Sequence, residues 1–383
     1  MDIYEKSLAL HKEHHGKLET KSKVKLDSKE ILSLAYSPGV GAVSKVIGQD
    51  ETLAREYTLK KNTIAVISDG SAILGLGNLG AHAAIPVMEG KAAIFKEFAG
   101  VDAFPICVQT QDTEEIIQLV KNISPVFGGI NLEDISAPRC FEIEKRLRAE
   151  LDIPVMHDDQ WGAATVTLVG LINAVKLRGL EKKDTKIVIA GVGAAGVATA
   201  RLLIAYGFTH LIFVDSKGII THERTDLTAE KIELLQSSTA EAHTGHLTDA
   251  LTGAHVFIGL SKGDTVIEDM VRSMAEKPIL FTLSNPIPEI MPELAREAGA
   301  FIIATGRGDY PNQINNSLVF PGAFKGMLQV PGAQFEQGVF LAIADAIVAH
   351  HADKVSVEEI LPSMFDPLIV EVVEKAVLKY FQK

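Results

Sequence analysis

The chain has 383 residues, of which 47% are hydrophobic, and its 49 acidic against 37 basic residues give a formal net charge of −12. This length allows two domains with cores of their own, and the acidic balance argues against nucleic-acid binding, which needs clustered Lys and Arg. We find no signal-peptide pattern and no apolar run near the roughly 20 residues that span a bilayer. With Cys107 and Cys140 as its only thiols, the sequence predicts a cytoplasmic protein that binds neither nucleic acid nor a membrane.

Strands and helices alternate in the first half of the chain. Residues 1 to about 60 are predicted to be helical, with a break at Tyr36-Ser-Pro-Gly-Val-Gly, and strands are predicted at 63–67, 103–108, 126–132 and 153–156. Such alternation indicates a parallel sheet with helices on its faces. The loop Gly75-Leu-Gly-Asn-Leu-Gly80 is separated from the first strand by six residues. We interpret it as a backbone cradle for a small anion or, alternatively, as a tightly packed turn.

Acidic side chains follow two of these strands. Glu133 and Asp134 come after the third strand, and His157-Asp158-Asp159 follows the fourth. Because the carboxyl ends of parallel strands share one edge of a sheet, the four carboxylates would repel one another unless a cation lies among them. Oxygen ligands suit Mg²⁺ or Mn²⁺ better than zinc. The alternative is that Asp134 and Asp159 only cap the helices that follow.

Two further residues are candidates for proton transfer. Lys91 lies among apolar neighbours in Met88–Phe95, and burial would lower its pKa toward neutrality, as a general base requires. Tyr36 could donate its phenolic proton. The simpler alternatives are a lysine at the end of a helix and a packed aromatic ring.

The second half opens with a long apolar helix, predicted at 162–180, and a dinucleotide-binding pattern. A strand at 186–190 leads into a glycine loop, and a second strand ends at Asp215. The three glycines allow the tight turn, the close approach of a pyrophosphate and the packing of the helix on the strand. The predicted cofactor-binding residues of the loop are Gly191, Val192, Gly193, Ala194, Ala195 and Gly196. Asp215 is placed to accept hydrogen bonds from a ribose hydroxyl.

Further strands are predicted at 255–259, 278–283 and 300–304, and a helical tail begins after about 335. Asn285, Asn315 and Asn316 lie in loops near these elements, where an amide can hold a nicotinamide ribose or a substrate carboxylate, or can brace the loop. The predicted fold class is α/β. It has an N-terminal α/β catalytic domain (1–160), a Rossmann-type parallel-sheet domain (161–335) and a helical segment (336–383) that packs back on both. The residues predict a metal-assisted, nicotinamide-dependent oxidoreductase for a small acid.

Taken together, these motifs resemble the malic enzymes, in particular their short bacterial form. The matching blocks run in unbroken order from about residue 30 to 330. They are Tyr36-Ser-Pro-Gly, Ser68-Asp-Gly to Gly80, Glu89-Gly-Lys-Ala, Asn131-Leu-Glu-Asp, His157-Asp-Asp-Gln, Gly191-Val-Gly, Leu283-Ser-Asn-Pro and Asn315-Asn-Ser-Leu. The resemblance implies oxidative decarboxylation of L-malate to pyruvate and CO₂, with reduction of NAD or NADP, by a homodimer whose cleft a second subunit can complete.

The resemblance also implies roles for single residues. Lys91 would contact the substrate and take the proton of its C2 hydroxyl, while Tyr36 would protonate C3 after CO₂ has left. Glu133, Asp134 and Asp159 would hold the metal ion, with Asp158 as a carboxylate beside it. The three asparagines would contact substrate or cofactor.

One position departs from the family pattern. The larger members have a carboxylate-binding arginine where this chain has Ala72, so loop amides, the metal, a lysine or another subunit must bind that carboxylate. Asp215 favours NAD, although Ser216 and Lys217 could accommodate the 2′-phosphate of NADP. Two alternatives stay open: a malate dehydrogenase that does not decarboxylate, and a dinucleotide-sensing protein with an inactive site.

Overall fold

The structure, a computed structural model, describes residues 3–240 and 244–382. Within these ranges the chain forms two open sheets that are connected by a long helix. The predicted α/β class and the predicted strands are confirmed, with small differences at the strand ends.

The first sheet consists of parallel strands. They are β1 (Thr63–Ser68), β2 (Asp102–Cys107), β3 (Gly129–Leu132) and β4 (Val155–His157), in the spatial order β2-β1-β3-β4. Ile64 and Val66 of β1 point into one apolar cluster, whereas Ala65 and Ile67 point into another. Because both faces are buried, the strand is continuously apolar instead of alternating.

Helices precede and connect these strands. Before β1 come α1 (Ile3–His14), α2 (Lys29–Ala35), α3 (Val40–Gln49) and α4 (Ala54–Tyr57). Between the strands lie α5 (Ala81–Ile94), α6 (Thr113–Ile123) and α7 (Arg139–Glu150). The start of α6 is set by Asp112, whose side chain accepts a hydrogen bond from the Glu115 N–H at 3.0 Å and so pairs one of the N–H groups that a helix leaves free.

The second sheet has one antiparallel member. Its strands are β5 (Ile187–Ala190), β6 (Leu211–Asp215), β7 (Gly218–Ile219), β8 (Val256–Gly259), β9 (Ile279–Thr282) and β10 (Ile302–Thr305). The order is β10-β9-β8-β5-β6-β7, and only β7 runs against its neighbour. The sequence did not predict β7, because two residues are too few to give a periodic pattern.

The remaining helices surround this sheet and form the tail. They are α8 (Asp158–Arg178), α9 (Ala194–Tyr206), α10 (Ala229–Ser237), α11 (Leu247–Leu251), α12 (Glu268–Ser273), α13 (Pro292–Glu297), α14 (Phe320–Met327), α15 (Gln337–His351) and α16 (Ile369–Phe381). Helix α8 packs on both α9 and α15. It is therefore apolar on all sides, as a helix between two layers must be.

Aromatic rings connect the first sheet to the tail. The Phe95 ring, at the end of α5, lies 4.7 Å from the Phe320 ring between centroids. Trp161 of α8 stacks on Phe340 of α15 at 5.0 Å. Rings from distant parts of the sequence thus share one core, whose burial provides most of the stabilisation.

The outer edge of β4 is closed by a side chain. Gln334 donates from Nε2 to the carbonyl oxygens of Leu151 and Ile153, at 2.9 and 2.8 Å. Its Oε1 accepts from the Val155 N–H at 3.1 Å. The amide therefore pairs with the edge strand as a neighbouring backbone would.

The first helices project their apolar residues into solvent. Residues 29–49 are the one stretch of the described chain that is long and apolar enough to cross a membrane by length and composition, and none of it is buried. This corrects the expectation that no apolar run approaches that length. The stretch is, however, broken at 36–39 into α2 and α3, of seven and ten residues, and each is shorter than the roughly 20 residues that a span requires.

Candidate active site

The predicted acids lie together at the carboxyl edge of the first sheet. Glu133 and Asp134 follow β3, and Asp158 and Asp159 open α8 directly after β4, the strand paired with β3. Glu133 and Asp134 are each 4% exposed and Asp158 is fully buried. The pairing of the two strands therefore brings four carboxylates into one small volume.

One ammonium lies among these carboxylates. The Nζ of Lys91, on α5, is 2.6 Å from Glu133 Oε1 and also contacts Asp158. The same nitrogen lies 4.3 Å from the centroid of the Phe320 ring, an attractive cation–π contact. A single positive charge thus faces four acids.

The expectation that burial lowers the pKa of Lys91 toward neutrality is wrong. Burial does act in that direction, but attraction to Asp158, Glu133 and Asp159 outweighs it and raises the pKa above its ordinary value. Lys91 is therefore an ammonium in this structure. It becomes a base only when its proton can pass to a neighbouring group or when the acids are neutralised.

The pKa values of the four acids are also raised, which means that their charged forms are disfavoured. Burial and then mutual repulsion raise the pKa of Asp134 to about 9, and burial raises that of Glu133 to about 7 although Lys91 opposes the rise. Burial also raises the pKa of Asp158 to about 7 and that of Asp159 to about 6, again against the effect of Lys91. The cluster therefore lacks positive charge.

The donor set fits a divalent cation. Asp134 Oδ2 and Asp158 Oδ1 are buried and have no hydrogen-bond partner among the described residues. Hard carboxylate oxygens with a deficit of positive charge suit Mg²⁺ or Mn²⁺. In the described ranges no three His, Cys, Asp or Glu side chains have the spacing of a preformed metal site, and Lys91 lies between Glu133 and Asp158. Binding would therefore require small side-chain movements.

Sequence reasoning missed Glu144, which positions the start of α8. This buried carboxylate accepts hydrogen bonds from the His157 N–H, Gln160 Nε2 and Trp161 Nε1 at 3.0, 3.1 and 3.0 Å. It lies on the face of α7 that also buries Ile143 and Leu147. An acid on the apolar face of a predicted helix was the signal that could have identified it.

Two of the predicted asparagines have different surroundings. Asn316 donates from Nδ2 to Asp158 Oδ2 at 2.7 Å, so it lies in the cluster. Asn315 uses its Oδ1 to accept from the Ser317 N–H at 2.9 Å. The structure thus connects Asn316 to the acid cluster, whereas Asn315 caps the short helical turn that follows it.

The third asparagine lies where the two halves of the chain come into contact. Asn285 is exposed in the loop after β9. A Cβ atom at Gly75 would lie 2.4 Å from the Asn285 carbonyl oxygen, so only glycine permits this contact between the loops. The loop after β9 therefore touches the 75–80 loop of the first half.

The 75–80 loop is held mainly by its own backbone. The Ile73 N–H donates to Gly77 O at 3.0 Å, and the N–H groups of Leu79 and Gly80 both donate to Gly70 O, at 3.2 and 3.1 Å. These amides are not free to bind an anion. The hydrogen bonds favour the packed turn over the anion cradle.

The arginine near Ala72 in the described structure is already engaged in other contacts. Arg139 contacts this region, but its guanidinium is 2.9 Å from Asp69 Oδ2 and donates to Ser71 Oγ at 3.0 Å and to the Gln111 carbonyl. These bonds tie the loops at 69–71 and 111 to α7. Arg139 therefore braces the site and is not free to bind substrate.

Tyr36 lies apart from the cluster within one chain. Its side chain is 69% exposed, between α2 and α3, whereas Lys91 is 7% exposed. Among the described residues no hydrogen bond or ring contact connects Tyr36 to Lys91 or to the acids. One copy of the chain does not bring together the proposed base and the proposed acid.

The dinucleotide loop has the geometry that its motif requires. Gly191 has a φ of +100° at the turn after β5, and a Cβ at Gly196 would lie 1.9 Å from the Gly191 carbonyl oxygen. Helix α9 begins at Ala194. In this motif the first N–H groups of the helix and the helix dipole stabilise a pyrophosphate.

Asp215 is already paired with cations. Arg224 donates from both terminal nitrogens to its two oxygens at 2.8 and 3.0 Å, and Lys231 Nζ lies 2.7 Å away. Burial would raise the pKa of Asp215, but the bonds from Arg224 and Lys231 outweigh it and lower the pKa to about 2. A ribose or a 2′-phosphate would therefore meet an ion-pair network and not an isolated carboxylate.

Comparison with known proteins identifies both halves. Residues 15–148 match the family model described as the malic enzyme N-terminal domain, and residues 161–377 match the malic enzyme NAD binding domain. The chain is 48% identical to the bifunctional malic/malolactic enzyme of Bacillus subtilis, over 99% of this chain and 93% of that protein. It is 51% identical to the NAD-dependent malic enzyme of Geobacillus stearothermophilus, over 95% and 76% of the two chains. The crystal structure of the NAD-dependent malic enzyme of Thermotoga maritima superposes with a TM-score of 0.94 at 44% identity, covering 99% of each chain.

We expect the metal-free protein to lose stability as the pH rises. The acids at 133, 134, 158 and 159 have raised pKa values in the folded state. The folded chain therefore binds more protons than the unfolded chain between about pH 4 and 9, and the free energy of unfolding falls as the pH rises across that window.

Mn²⁺ should raise the melting temperature more at about pH 8.5 than at about pH 5.5, because protonated ligands bind metal poorly. Thermal unfolding of the wild type and of Asp134→Asn, with and without Mn²⁺, measures this. An equal Mn²⁺ shift at both pH values, or in both proteins, would contradict the proposed ligand set.

Proposed function

The chain belongs to the malic enzyme family, whose members oxidatively decarboxylate malate with NAD or NADP as the oxidant, and we propose that the Lys91 cluster is its catalytic centre. The observation that supports this assignment is the set of one buried ammonium and four carboxylates, three of them buried, at the carboxyl edge of the first sheet, where Asn316 from the second half of the chain contacts Asp158. The substrate is then L-malate, and the products are pyruvate and CO₂.

The proposal also assigns residues to the metal ion and to the cofactor. Glu133, Asp134 and Asp159 would hold Mg²⁺ or Mn²⁺, and the loop 191–196 would hold NAD. When bound, the ion would supply a Lewis acid for the C2 oxygen and NAD would supply the hydride acceptor for C2. The residues of the chain perform the proton transfers and the positioning.

Lys91 would take the proton of the C2 hydroxyl. For this it must first lose its own proton. Once the acids around it are neutralised, the raised pKa of Lys91 falls, and Asp158, which contacts Lys91 Nζ, is placed to accept the proton. Asn316 donates to the same carboxylate oxygen and holds it in place. Oxidation at C2 gives a β-keto acid, oxaloacetate, and its decarboxylation leaves an enolate that needs a proton at C3.

Tyr36 would supply that proton from a second copy of the chain. Helices α1 to α4 bury none of their residues within one chain. Their large exposed apolar side chains are Ile3, Tyr4, Leu8, Leu10, Leu32, Leu34, Val40, Val46 and Tyr57. Monomers rarely expose contiguous apolar patches of this extent. A homodimer would bury this surface and could bring Tyr36 over the partner's Lys91.

NAD is the cofactor that we expect to be preferred, with NADP also accepted. Asp215 can accept a hydrogen bond from the ribose, and its negative charge opposes a 2′-phosphate. Arg224 and Lys231 weaken this electrostatic repulsion, because they are placed to bind a phosphate once Asp215 is displaced. The chain is 44% identical to the NADP-dependent malic enzyme of Rhizobium meliloti, of which it spans half the length.

We also propose a cytoplasmic location, as the sequence suggested. Cys107 and Cys140 are both free thiols, and burial raises the pKa of the Cys140 thiol and holds it in its unreactive form. Free thiols are typical of reducing compartments.

Replacing Lys91 tests the catalytic assignment. With malate, NAD and Mn²⁺, the wild type should release pyruvate and CO₂, and Lys91→Gln should lower kcat by roughly 10²- to 10⁴-fold, as expected for loss of a general base. The control is Lys96→Gln, which replaces an exposed lysine just beyond α5 that pairs with Asp102. Product analysis distinguishes pyruvate from oxaloacetate and from lactate. Oxaloacetate alone would favour the non-decarboxylating alternative, and a folded Lys91→Gln with near-normal turnover would exclude Lys91 as the base.

A mixture of two inactive variants tests the shared site. Tyr36→Phe and Lys91→Gln should each be nearly inactive, but hybrid dimers made by co-expression have one site in which both residues are intact. Random pairing should restore about a quarter of the wild-type activity if each site uses residues of both subunits. Activity no higher than that of the separate variants would mean that Tyr36 and Lys91 act within one chain.

Replacing Asp215 tests the cofactor site. Asp215→Asn removes the charge that opposes a 2′-phosphate and frees Arg224 and Lys231, so the ratio of kcat/KM for NADP over NAD should rise about tenfold, or about 1.4 kcal/mol. Asp226→Asn makes the same charge change beside Arg224 but away from the strand end, and should change the ratio much less. Equal effects of the two substitutions would assign the preference to overall charge instead of to Asp215.

A further inference from the structure

A buried carboxylate lies beneath the loops that follow β8 and β9. Glu289 is 0% exposed. Its Oε1 accepts a hydrogen bond from the backbone N–H of Ser261 at 3.2 Å, and its Oε2 accepts one from the N–H of Ser284 at 3.1 Å. Each oxygen of one side chain thus holds a different loop.

The space for this carboxylate is built into the end of β8. A Cβ atom at Gly259 would lie 2.3 Å from Glu289 Cδ, so only glycine leaves room for the acid. The backbone of Glu289 is also fixed, because its carbonyl accepts from the Val266 N–H at 2.9 Å. No Lys, Arg or His in the described ranges forms an ion pair with it. Burial raises its pKa to about 7, although the backbone N–H bonds oppose the rise.

An acid buried without a cation is costly unless it performs a task that an apolar residue could not. Here the task is to pair the backbone N–H groups of two different loops. A carboxylate has two acceptor oxygens and can satisfy both, whereas an amide presents one oxygen and one NH₂ group. Replacement by an apolar side chain would remove the partner of both donors.

The two loops lead to the two sides of the proposed reaction site. The loop after β8 packs on the dinucleotide loop: the Leu260 N–H donates to Ala190 O at 2.8 Å, and a Cβ at Gly191 would lie 2.5 Å from Leu260 O. The loop after β9 carries Asn285, whose carbonyl approaches Gly75 of the first half of the chain. Glu289 therefore connects the loop that packs on the dinucleotide loop to the loop that contacts the first half.

We propose that Glu289 is a positioning residue for the dinucleotide. It fixes the loop after β8, which packs on the dinucleotide loop, relative to Asn285, and thereby orients the nicotinamide toward C2 of the substrate. This role rests on the proposed function, but it acts on the cofactor and not on the acid cluster. Loss of Glu289 should consequently affect NAD binding and hydride transfer more than decarboxylation.

Three measurements on Glu289→Gln and Glu289→Ala test this role. NADH is titrated into the metal-free protein by its fluorescence, NAD reduction by malate is followed with Mn²⁺, and decarboxylation of added oxaloacetate, which needs no hydride transfer, is followed with Mn²⁺. Glu289→Ala should raise the Kd for NADH and the KM for NAD about tenfold, with a smaller rise in Glu289→Gln. Decarboxylation should stay within about twofold of the wild type. The control, Glu297→Gln, removes an exposed acid on α13 and should change none of the three.

Two results would overturn the role of Glu289. One is a folded variant with unchanged Kd for NADH and unchanged KM for NAD. The other is a proportional loss of all three readouts, which indicates a structural acid only. If Glu289→Ala does not fold, Glu289→Gln, which keeps the volume of the side chain, decides by the same readouts. A wild type that binds NADH but does not oxidise malate would instead overturn the proposed function. In that case the Kd for NADH would still test the role of Glu289.

Discussion

The site depends on an electrostatic imbalance that the fold creates. The pairing of β3 with β4 places four acids at one sheet edge, and in the described part of the chain a single ammonium, that of Lys91 on α5, is in contact with them. In water each carboxylate would be hydrated, but burial removes that hydration, so the cluster must gain protons or a cation. The same imbalance explains the raised pKa of Lys91, the raised pKa values of the acids and the suitability of the site for a hard divalent ion.

Much of the fold could be predicted from the sequence because its signals are local. The buried strands are continuous apolar runs, and the loop at 191–196 follows its strand directly, so pattern and spacing were sufficient. The acids could also be predicted, because residues that end adjacent parallel strands must meet at one edge. For these elements, local sequence already determines the neighbours in space.

Other features depend on partners that the sequence does not reveal. The pKa of Lys91 was predicted in the wrong direction because its apolar sequence neighbours suggested an apolar pocket, whereas its spatial neighbours are acids. Asp215 has the position that its motif predicts, yet its partners come from elsewhere: Arg224 from a loop with no periodic pattern and Lys231 from α10. Glu144 was marked in the sequence only by its place on the apolar face of α7, and Glu289 was missed because a buried acid in a loop cannot be distinguished from a surface acid without its contacts.

The Gln334 side chain that borders β4 has a consequence for the integrity of the chain. An edge strand with unpaired N–H and C=O groups is a template for another strand, and such edges promote aggregation. Here a single amide from the segment before α15 covers those groups, on the strand that leads directly into Asp158. Displacement of Gln334 would therefore expose backbone groups of the edge strand just before the acids at 158 and 159, and would favour pairing of this edge with another strand.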